Sequence, residues 1–334
     1  MPGSLSVAAA MEAVKKQINK LVKAFHRKNP AFVLCKHEKR NAQRLDKFLD
    51  GFRGVYFLKP HGIKAKCHYQ GFSRPTTQAR DVIIALIRLM ELVEQAGYCF
   101  DGKLTMKNLY WLSETKTIKV WGLGIRDMIK MTKSGIKSDF KWIEELIRNN
   151  VFAGSKVPRE LKYLLGYMAS DPIKYGNLIK HNICLLDDES KVEKFIILYQ
   201  KLTIIRKLDY QIFQTALSYI KCGLCGATHD WRANVKLNTV LEKIFSYQPR
   251  GYYSPDEAGV ALFGCHCNHH GTDDCVDCQN QLKVIEYSNA DIFPMLECHV
   301  PGLFAQLQEA LFEVIEIRYP HKLQGLRNRC TGGG

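Results

Sequence analysis

The chain has 334 residues, of which 46% are hydrophobic, enough for two domains with sizeable cores, so intrinsic disorder is excluded as its main state. Its 48 basic and 33 acidic side chains leave a net charge of +15, which favours an acidic partner such as nucleic acid or an acidic protein surface. No apolar run approaches the roughly 20 residues that cross a bilayer, and residues 1–10 lack the pattern of a secretory signal. We therefore expect no membrane insertion and a cytoplasmic or nuclear location, where 12 cysteines indicate free thiols or metal and not disulfides.

The first elements along the chain are a basic helix, a strand and a buried helix. Apolar residues recur at helical spacing over 8–29 with lysines between them, which predicts an amphipathic helix within residues 1–30. Its basic side either contacts phosphates or is a solvated surface. A strand is predicted over 55–58, and a helix over 80–96 that is apolar on nearly all sides and therefore buried.

A hairpin is predicted next, with strands over 107–112 and 117–121. The order of a buried helix, a loop that holds Asn108, a hairpin and a glycine resembles the C-lobe of protein kinases. In that family the loop reads H-R-D, four residues, then Asn, and the hairpin leads to D-F-G. With Asn108 on the loop asparagine, residues 101–103 stand at H-R-D and residues 120–122 at D-F-G.

The resemblance continues with a helix over 141–148 that is opened by residues 138–140, and with helices over 158–171 and 178–181. It implies a degenerate kinase-like domain over 31–185, with a C-lobe and a reduced N-lobe.

The two carboxylates of kinase chemistry are missing from this pattern. Lys103 stands where the proton-accepting aspartate belongs, and Val120 where the magnesium-binding aspartate belongs. A cation repels magnesium, and a hydrocarbon side chain offers it no oxygen ligand. The resemblance therefore implies no phosphotransfer, and it leaves Lys36 and Asn108 as the candidates for contact with a nucleotide such as ATP.

Helical patterns continue beyond His181 without a loose linker. A helix is predicted over 191–201. Residues 193–196 in this helix, a segment at 229–231, a turn at 252–257 and a corner at 317–320 follow one another. This order resembles the KEN ribonuclease extension, which directly follows the kinase-like domain in the unfolded-protein-response sensor kinase-endoribonucleases and in oligoadenylate-activated ribonuclease L. The resemblance implies a helical KEN-like domain over 186–330.

The nuclease of that family cleaves RNA without a metal, through proton transfer by a His and a Tyr, while an Arg and an Asn orient the phosphate. The pair His269-His270 places His270 at the catalytic histidine, and Tyr253 lies in the tyrosine-containing turn. Cys265 then stands at the arginine position and His266 at the asparagine position. The resemblance implies His270, Tyr253 and His266 as the site residues of an active nuclease, with a bidentate phosphate donor lost at Cys265.

Cysteines and histidines are unusually dense over residues 265–278, and a further C-x-x-C pair lies upstream. Tetrahedral zinc takes four thiolates, or three thiolates and one imidazole. The sequence therefore predicts a structural zinc that staples an insertion over 264–281 to the upstream pair, and the alternative is a set of buried or free thiols. The candidate ligands are Cys222, Cys225, Cys265, Cys267, Cys275, Cys278 and His269.

Together these patterns predict an α-rich α+β chain, with a kinase-like domain followed by a helical KEN-like domain. We expect a pseudokinase whose ribonuclease-like domain is catalytically degenerate and acts by binding RNA or a protein partner. The first alternative is an active metal-independent endoribonuclease, which in the family requires a homodimer. The second is a zinc-stapled adaptor unrelated to kinases.

Overall fold

The computed structural model describes residues 7–58, 63, 72–123, 127–221, 230–249, 251–270 and 287–327. This part of the chain is rich in helices and contains small antiparallel sheets, so the predicted α-rich α+β class is confirmed. The helices are α1 Val7–Lys28, α2 Leu45–Leu49, α3 Thr77–Gln95, α4 Lys133–Leu146, α5 Arg159–Ser170, α6 Gly176–Lys180, α7 Asp188–Leu208, α8 Tyr210–Leu217, α9 Trp231–Val235, α10 Thr239–Tyr247, α11 Glu257–His270, α12 Asn289–His299, α13 Leu303–Phe312 and α14 Gln324–Arg327.

The strands form one three-stranded and two two-stranded sheets in the described residues. They are β1 Ala42–Arg44, β2 Val55–Leu58, β3 Phe72–Pro75, β4 Tyr98–Cys99, β5 Leu109–Leu112, β6 Thr117–Val120 and β7 Ile129–Lys130. The three-stranded sheet has the order β1-β5-β6. The other sheets pair β2 with β3 and β4 with β7.

The chain divides into two compact units. The first comprises Met1–Val55, Pro75–Val157 and Leu165–Lys180, and the second comprises Tyr56–Arg74, Pro158–Leu164 and His181–Gly334. In the described residues, no helix is long and apolar enough to cross a membrane.

Helix α3 lies in the core of the first unit. It begins before residue 80, because the hydroxyl of Thr76 accepts the backbone N–H of Ala79 at 3.1 Å and caps the helix. Gly97 follows its end at φ +81°, a conformation that favours glycine. The predicted buried helix is confirmed, but Ile84 is exposed, so the apolar surface does not extend all round.

The predicted hairpin is formed by β5 and β6, which pair antiparallel with Leu109 opposite Val120. Val120 is buried, and its backbone carbonyl accepts the N–H of Leu34 at 2.9 Å while its N–H donates to the carbonyl of Phe32 at 2.8 Å. The short apolar run before Cys35 is thereby fixed beside the hairpin.

Helix α4 begins earlier than predicted. The hydroxyl of Thr132 accepts the N–H of Gly135 at 3.0 Å, so the helix starts at Lys133 and Asp139 lies in its middle, not at its opening. The carboxylate of Asp139 is buried and accepts the backbone N–H groups of Phe100 at 2.7 Å and Gly102 at 2.8 Å. One side chain thus holds the loop 101–103 against α4.

The second unit is built around α7, which packs against α11, α12 and α13. The carboxylate of Asp187 accepts the N–H of Ser190 at 2.8 Å and starts α7 ahead of the predicted 191–201. In the core, the ring of Phe304 lies 4.4 Å from that of Phe195 and 4.9 Å from that of Phe293, measured between centroids.

A largely buried ion cluster lies in the same unit and is defined by Arg74, Glu160, Asp188, Lys191 and Glu297, of which only Asp188 is partly exposed. The guanidinium of Arg74 donates two hydrogen bonds to the carboxylate of Asp188, and its Nε lies 3.5 Å from Glu160 Oε1. The Nζ of Lys191 donates to Glu160 Oε2 at 2.5 Å.

Glu297 is the fifth member of the cluster and accepts the backbone N–H of Gly302 at 3.0 Å. Burial and the charge of Glu160 raise the pKa of Glu297 to about 8 from its usual value near 4.5. At neutral pH Glu297 is therefore protonated, and two cations face two carboxylates.

Replacing Asp139 with Asn should lower the free energy of unfolding by about 1.5–3 kcal/mol, because the two N–H groups lose a charged acceptor. Chemical denaturation measures the loss. The matched control is Asp101→Asn, since Asp101 is exposed and Asn tolerates its φ of +55°. Equal losses in both variants would contradict the role of Asp139.

Replacing Glu297 with Gln should stabilise the protein at alkaline pH. Between pH 4.5 and 8 the unfolded carboxyl ionises while the folded one stays protonated, so the free energy of unfolding of the parent falls as pH rises. At pH 8 we expect the variant to exceed the parent by about 2–4 kcal/mol, with little difference below pH 4.5. Thermal unfolding across this range measures the difference, with the exposed Glu114→Gln as control; a constant difference at all pH values would refute the assignment.

Candidate functional site

A turn and the helix that follows it carry the residues that the resemblance assigns to nuclease chemistry. The carboxylate of Asp256 accepts the N–H of Gly259 at 2.9 Å and starts α11. A Cβ on Gly259 would lie 1.9 Å from the carbonyl oxygen of Ser254, so glycine is required where the turn folds back on the helix. This close approach places Tyr253 beside His266.

Tyr253 and His266 form a hydrogen bond, with the hydroxyl 2.8 Å from Nδ1 of the imidazole. The donor depends on the tautomer of the histidine. The ring of Tyr252 stacks on the imidazole, with centroids 5.7 Å apart and an angle of 24° between the planes. His266 therefore has one tyrosine as hydrogen-bond partner and a second as a stacking partner.

Aromatic side chains enclose Tyr253. Its ring centroid lies 5.3 Å from that of Phe245, 5.2 Å from that of Phe263 and 6.4 Å from that of Trp231. Burial in this apolar setting raises the pKa of Tyr253 above its usual range. The phenol stays protonated at neutral pH, so it can donate a hydrogen bond but cannot act as a phenolate base.

The structure brings together two of the three predicted nuclease residues, Tyr253 and His266. The third, His270, ends α11, and its side chain lies outside the described part of the chain, as does that of His269. Four predicted metal ligands also lie outside it: Cys222, Cys225, Cys275 and Cys278.

Cys265 and Cys267 are buried free thiols on α11. The helix runs to His270, so residues 264–270 of the predicted insertion are helical, and its remainder up to residue 281 lies outside the described residues. Burial raises the pKa of Cys265 to about 11 and that of Cys267 well above its usual range, so both are protonated thiols at neutral pH. Among the described residues, no group of three or more His, Cys, Asp or Glu side chains is placed to hold a metal, and zinc stays a prediction.

A cleft of about 310 Å³ opens beside Tyr252. Four elements line it: α7, α8, the turn that leads into α11, and the start of α11. Its aromatic residues are Tyr199, Tyr210, Phe213 and Tyr252, of which Tyr210 is 60% exposed and Tyr252 46% exposed.

Arg206 adds a cation to the cleft, with its guanidinium 5.6 Å from the ring centroid of Phe213. Aromatic faces stack on planar groups, and a guanidinium pairs with an anion. The aromatic residues and Arg206 are therefore suited to a ligand that carries both, while the carboxylate of Asp256 in the same lining is engaged by the N–H of Gly259.

The cleft does not follow from the sequence patterns, because its residues come from three separate segments. The helix predicted over 191–201 stops before Arg206, whereas α7 continues to Leu208 and brings Tyr199 and Arg206 into one wall. A spacing of seven residues places two side chains on the same face of a helix. Because the predicted helix ends before Arg206, the sequence offers no reason to place Arg206 beside Tyr199.

The predicted nucleotide-contacting residues lie in the first unit. Lys36 is exposed in a turn after Leu34. The Oδ1 of Asn108 accepts from the hydroxyl of Thr105 at 2.6 Å, and its Nδ2 donates to the carbonyl of Trp121 at 3.2 Å. Both ends of the Asn108 amide are thus engaged in holding the loop to the end of the hairpin.

The positions assigned to the kinase aspartates differ in their surroundings. Lys103 is exposed on its loop, and Val120 is buried in β6. Neither side chain has an oxygen that could take the place of a carboxylate.

No model of a known protein family matches the sequence, and no curated protein matches it either.

Replacing Tyr253 with Phe should remove the hydrogen bond to His266 and keep the ring packing. We expect a loss of about 0.5–1.5 kcal/mol in the free energy of unfolding, and a displaced NMR titration curve for the His266 ring. Tyr252→Phe is the matched control, because its contact with His266 is through the ring faces and should survive. An identical His266 titration in the parent and in Tyr253→Phe would contradict this prediction, because it would show that the hydrogen bond does not influence the imidazole.

Proposed function

We propose that the chain is a degenerate member of the kinase–KEN ribonuclease group, in which the second unit binds RNA and the first unit transfers no phosphate. The observation that carries this proposal is the hydrogen bond between Tyr253 and His266, whose imidazole stacks on Tyr252 in the wall of a cleft that contains Arg206. RNA offers the planar bases and the phosphates that such a cleft is suited to bind.

The contacts of Asp139 support the kinase-like part of the proposal. The resemblance assigns the loop 101–103 and the helix that contains Asp139 to one catalytic lobe, although they are far apart in sequence. The carboxylate of Asp139 accepts N–H groups from both sides of Asp101, so these two segments do meet. The proposed function does not include phosphotransfer, because Lys103 and Val120 stand where a kinase has its two catalytic aspartates.

Binding without cleavage is favoured by the side chains on α11. The position that the resemblance assigns to the phosphate-orienting arginine holds Cys265, a buried thiol without charge at neutral pH. Tyr253 is held protonated by its apolar surroundings. A site that lacks this arginine retains surfaces for stacking and loses a bidentate donor to the reacting phosphate.

An active metal-independent endoribonuclease is the second candidate. The 2.8 Å contact between Tyr253 and His266 favours it, because a tyrosine that keeps its proton can orient an imidazole for general acid-base catalysis. This candidate differs from the first only in whether the bound RNA is cut.

RNA binding is tested by fluorescence polarisation with a labelled single-stranded RNA. Tyr252→Ala should weaken binding by about 10- to 100-fold, because it removes a stacking surface, and Arg206→Ala should lower the slope of affinity against salt by about one. The matched controls are Tyr247→Ala and Arg88→Ala, which change exposed residues away from the cleft. The proposal fails if the parent does not bind RNA, or if the control variants lose as much affinity as the cleft variants.

Cleavage is assayed on the same RNA with excess chelator present. No cleavage by the parent supports the binding function. Cleavage that survives chelation, and is lost in both His266→Ala and His270→Ala, establishes the active nuclease instead. Binding that is specific for an acidic protein and absent for RNA would overturn both candidates.

A further inference from the structure

Helix α1 is anchored to the first unit at its C-terminal end. The ring centroid of Phe25 lies 6.2 Å from that of Phe32 and 5.3 Å from that of Tyr98. The Nδ2 of Asn29 also donates to the carbonyl of Phe25 at 3.0 Å. These contacts fix the last turn of the helix, whereas Met11 and Val14 near its start are 68% and 58% exposed.

The sequence of α1 separates an apolar from a basic side. Met11, Val14 and Phe25 share one face, and the spacing of Ile18 and Leu21 in the sequence continues the same pattern. Six basic side chains against one acidic residue leave the helix with a net charge of +5. Six basic residues of α1 are exposed: Lys15, Lys16, Lys20, Lys23, Arg27 and Lys28.

Helix α1 exposes both apolar and basic side chains, and a binding partner should contact both kinds. RNA would be held by the lysines alone, and it gives Met11 and Val14 no apolar environment. A surface of anionic lipids offers both, since its phosphates attract the basic side chains and its acyl boundary takes up the apolar face. A strongly basic helix whose large apolar side chains lie along one side is typical of segments that rest in such a surface without crossing it.

We propose that α1 binds an anionic lipid surface, with the face of Met11 and Val14 turned into the acyl boundary and the lysines near the headgroups. Lys15 and Lys28 lie at the edges of the apolar face, where long side chains reach upward to the phosphates. This binding is peripheral and independent of the cleft beside Tyr252, so it stands or falls separately from RNA binding.

The test is co-sedimentation of the full chain with two sets of vesicles, one of phosphatidylcholine alone and one of phosphatidylcholine and phosphatidylserine in equal parts. We expect sedimentation with the second set only, weakened by salt. The double variant Lys16→Glu and Lys20→Glu should reduce binding by more than about tenfold. The matched charge control reverses two exposed lysines on other elements, Lys107→Glu and Lys162→Glu, and should reduce it much less.

A second pair of variants tests the apolar face. Met11→Gln with Val14→Gln keeps the charge and does not lower the helix propensity, and it should reduce binding by several-fold. Phe57→Gln removes an exposed apolar side chain from β2 and should have no effect.

Four results would overturn the proposal. One is equal sedimentation with both sets of vesicles, and another is equal loss in the charge variant and its control. The third is full binding by the Gln double variant, which would show that the apolar face is not inserted. Binding of α1 to an acidic protein or to RNA, with no sedimentation on anionic vesicles, would assign the helix to that partner instead.

Discussion

The second unit depends on one constraint, the four charged members of the ion cluster: Arg74, Glu160, Asp188 and Lys191. It joins β3, the first turn of α5 and the first turn of α7, which are distant in sequence. The ring of Phe293 on α12 lies beneath both cations, 4.7 Å from the guanidinium of Arg74 and 4.4 Å from Nζ of Lys191. Loss of one member would leave an uncompensated buried charge, which costs about 3–5 kcal/mol.

The cluster also determines where the cleft residues lie, because α7 belongs to both. Lys191 fixes the start of the helix, and Phe195 packs in its middle against Phe304. Tyr199 and Arg206 follow on the same helix and form one wall of the cleft. A ligand in the cleft therefore meets side chains on a helix that is fixed at two points, so little ordering of the protein is needed on binding.

Elements with a clear periodicity of apolar residues could be predicted from the sequence. Contacts between segments that are far apart in the sequence could not. The helix over 80–96 and the hairpin after it follow from apolar spacing and a polar turn. Arg74 and Glu160, in contrast, look like surface residues in their own segments, and only the fold gives them partners. The density of cysteines over 264–281 left zinc ligands and buried thiols both open, and only the fold shows that Cys265 and Cys267 pack as small apolar residues inside a helix.

Under the proposed function, the placement of charge around Tyr253 explains why binding and cleavage separate. The cation of the site comes from Arg206 on α7, while the arginine position on α11 holds Cys265. A guanidinium in the cleft wall can hold the RNA backbone beside Tyr252, but it does not belong to the helix that positions His266. The buried Tyr253 keeps its proton and orients the imidazole. Such a site binds a base by stacking and a phosphate by charge. It lacks the arginine donor that would stabilise the charge that develops on the phosphate during cleavage.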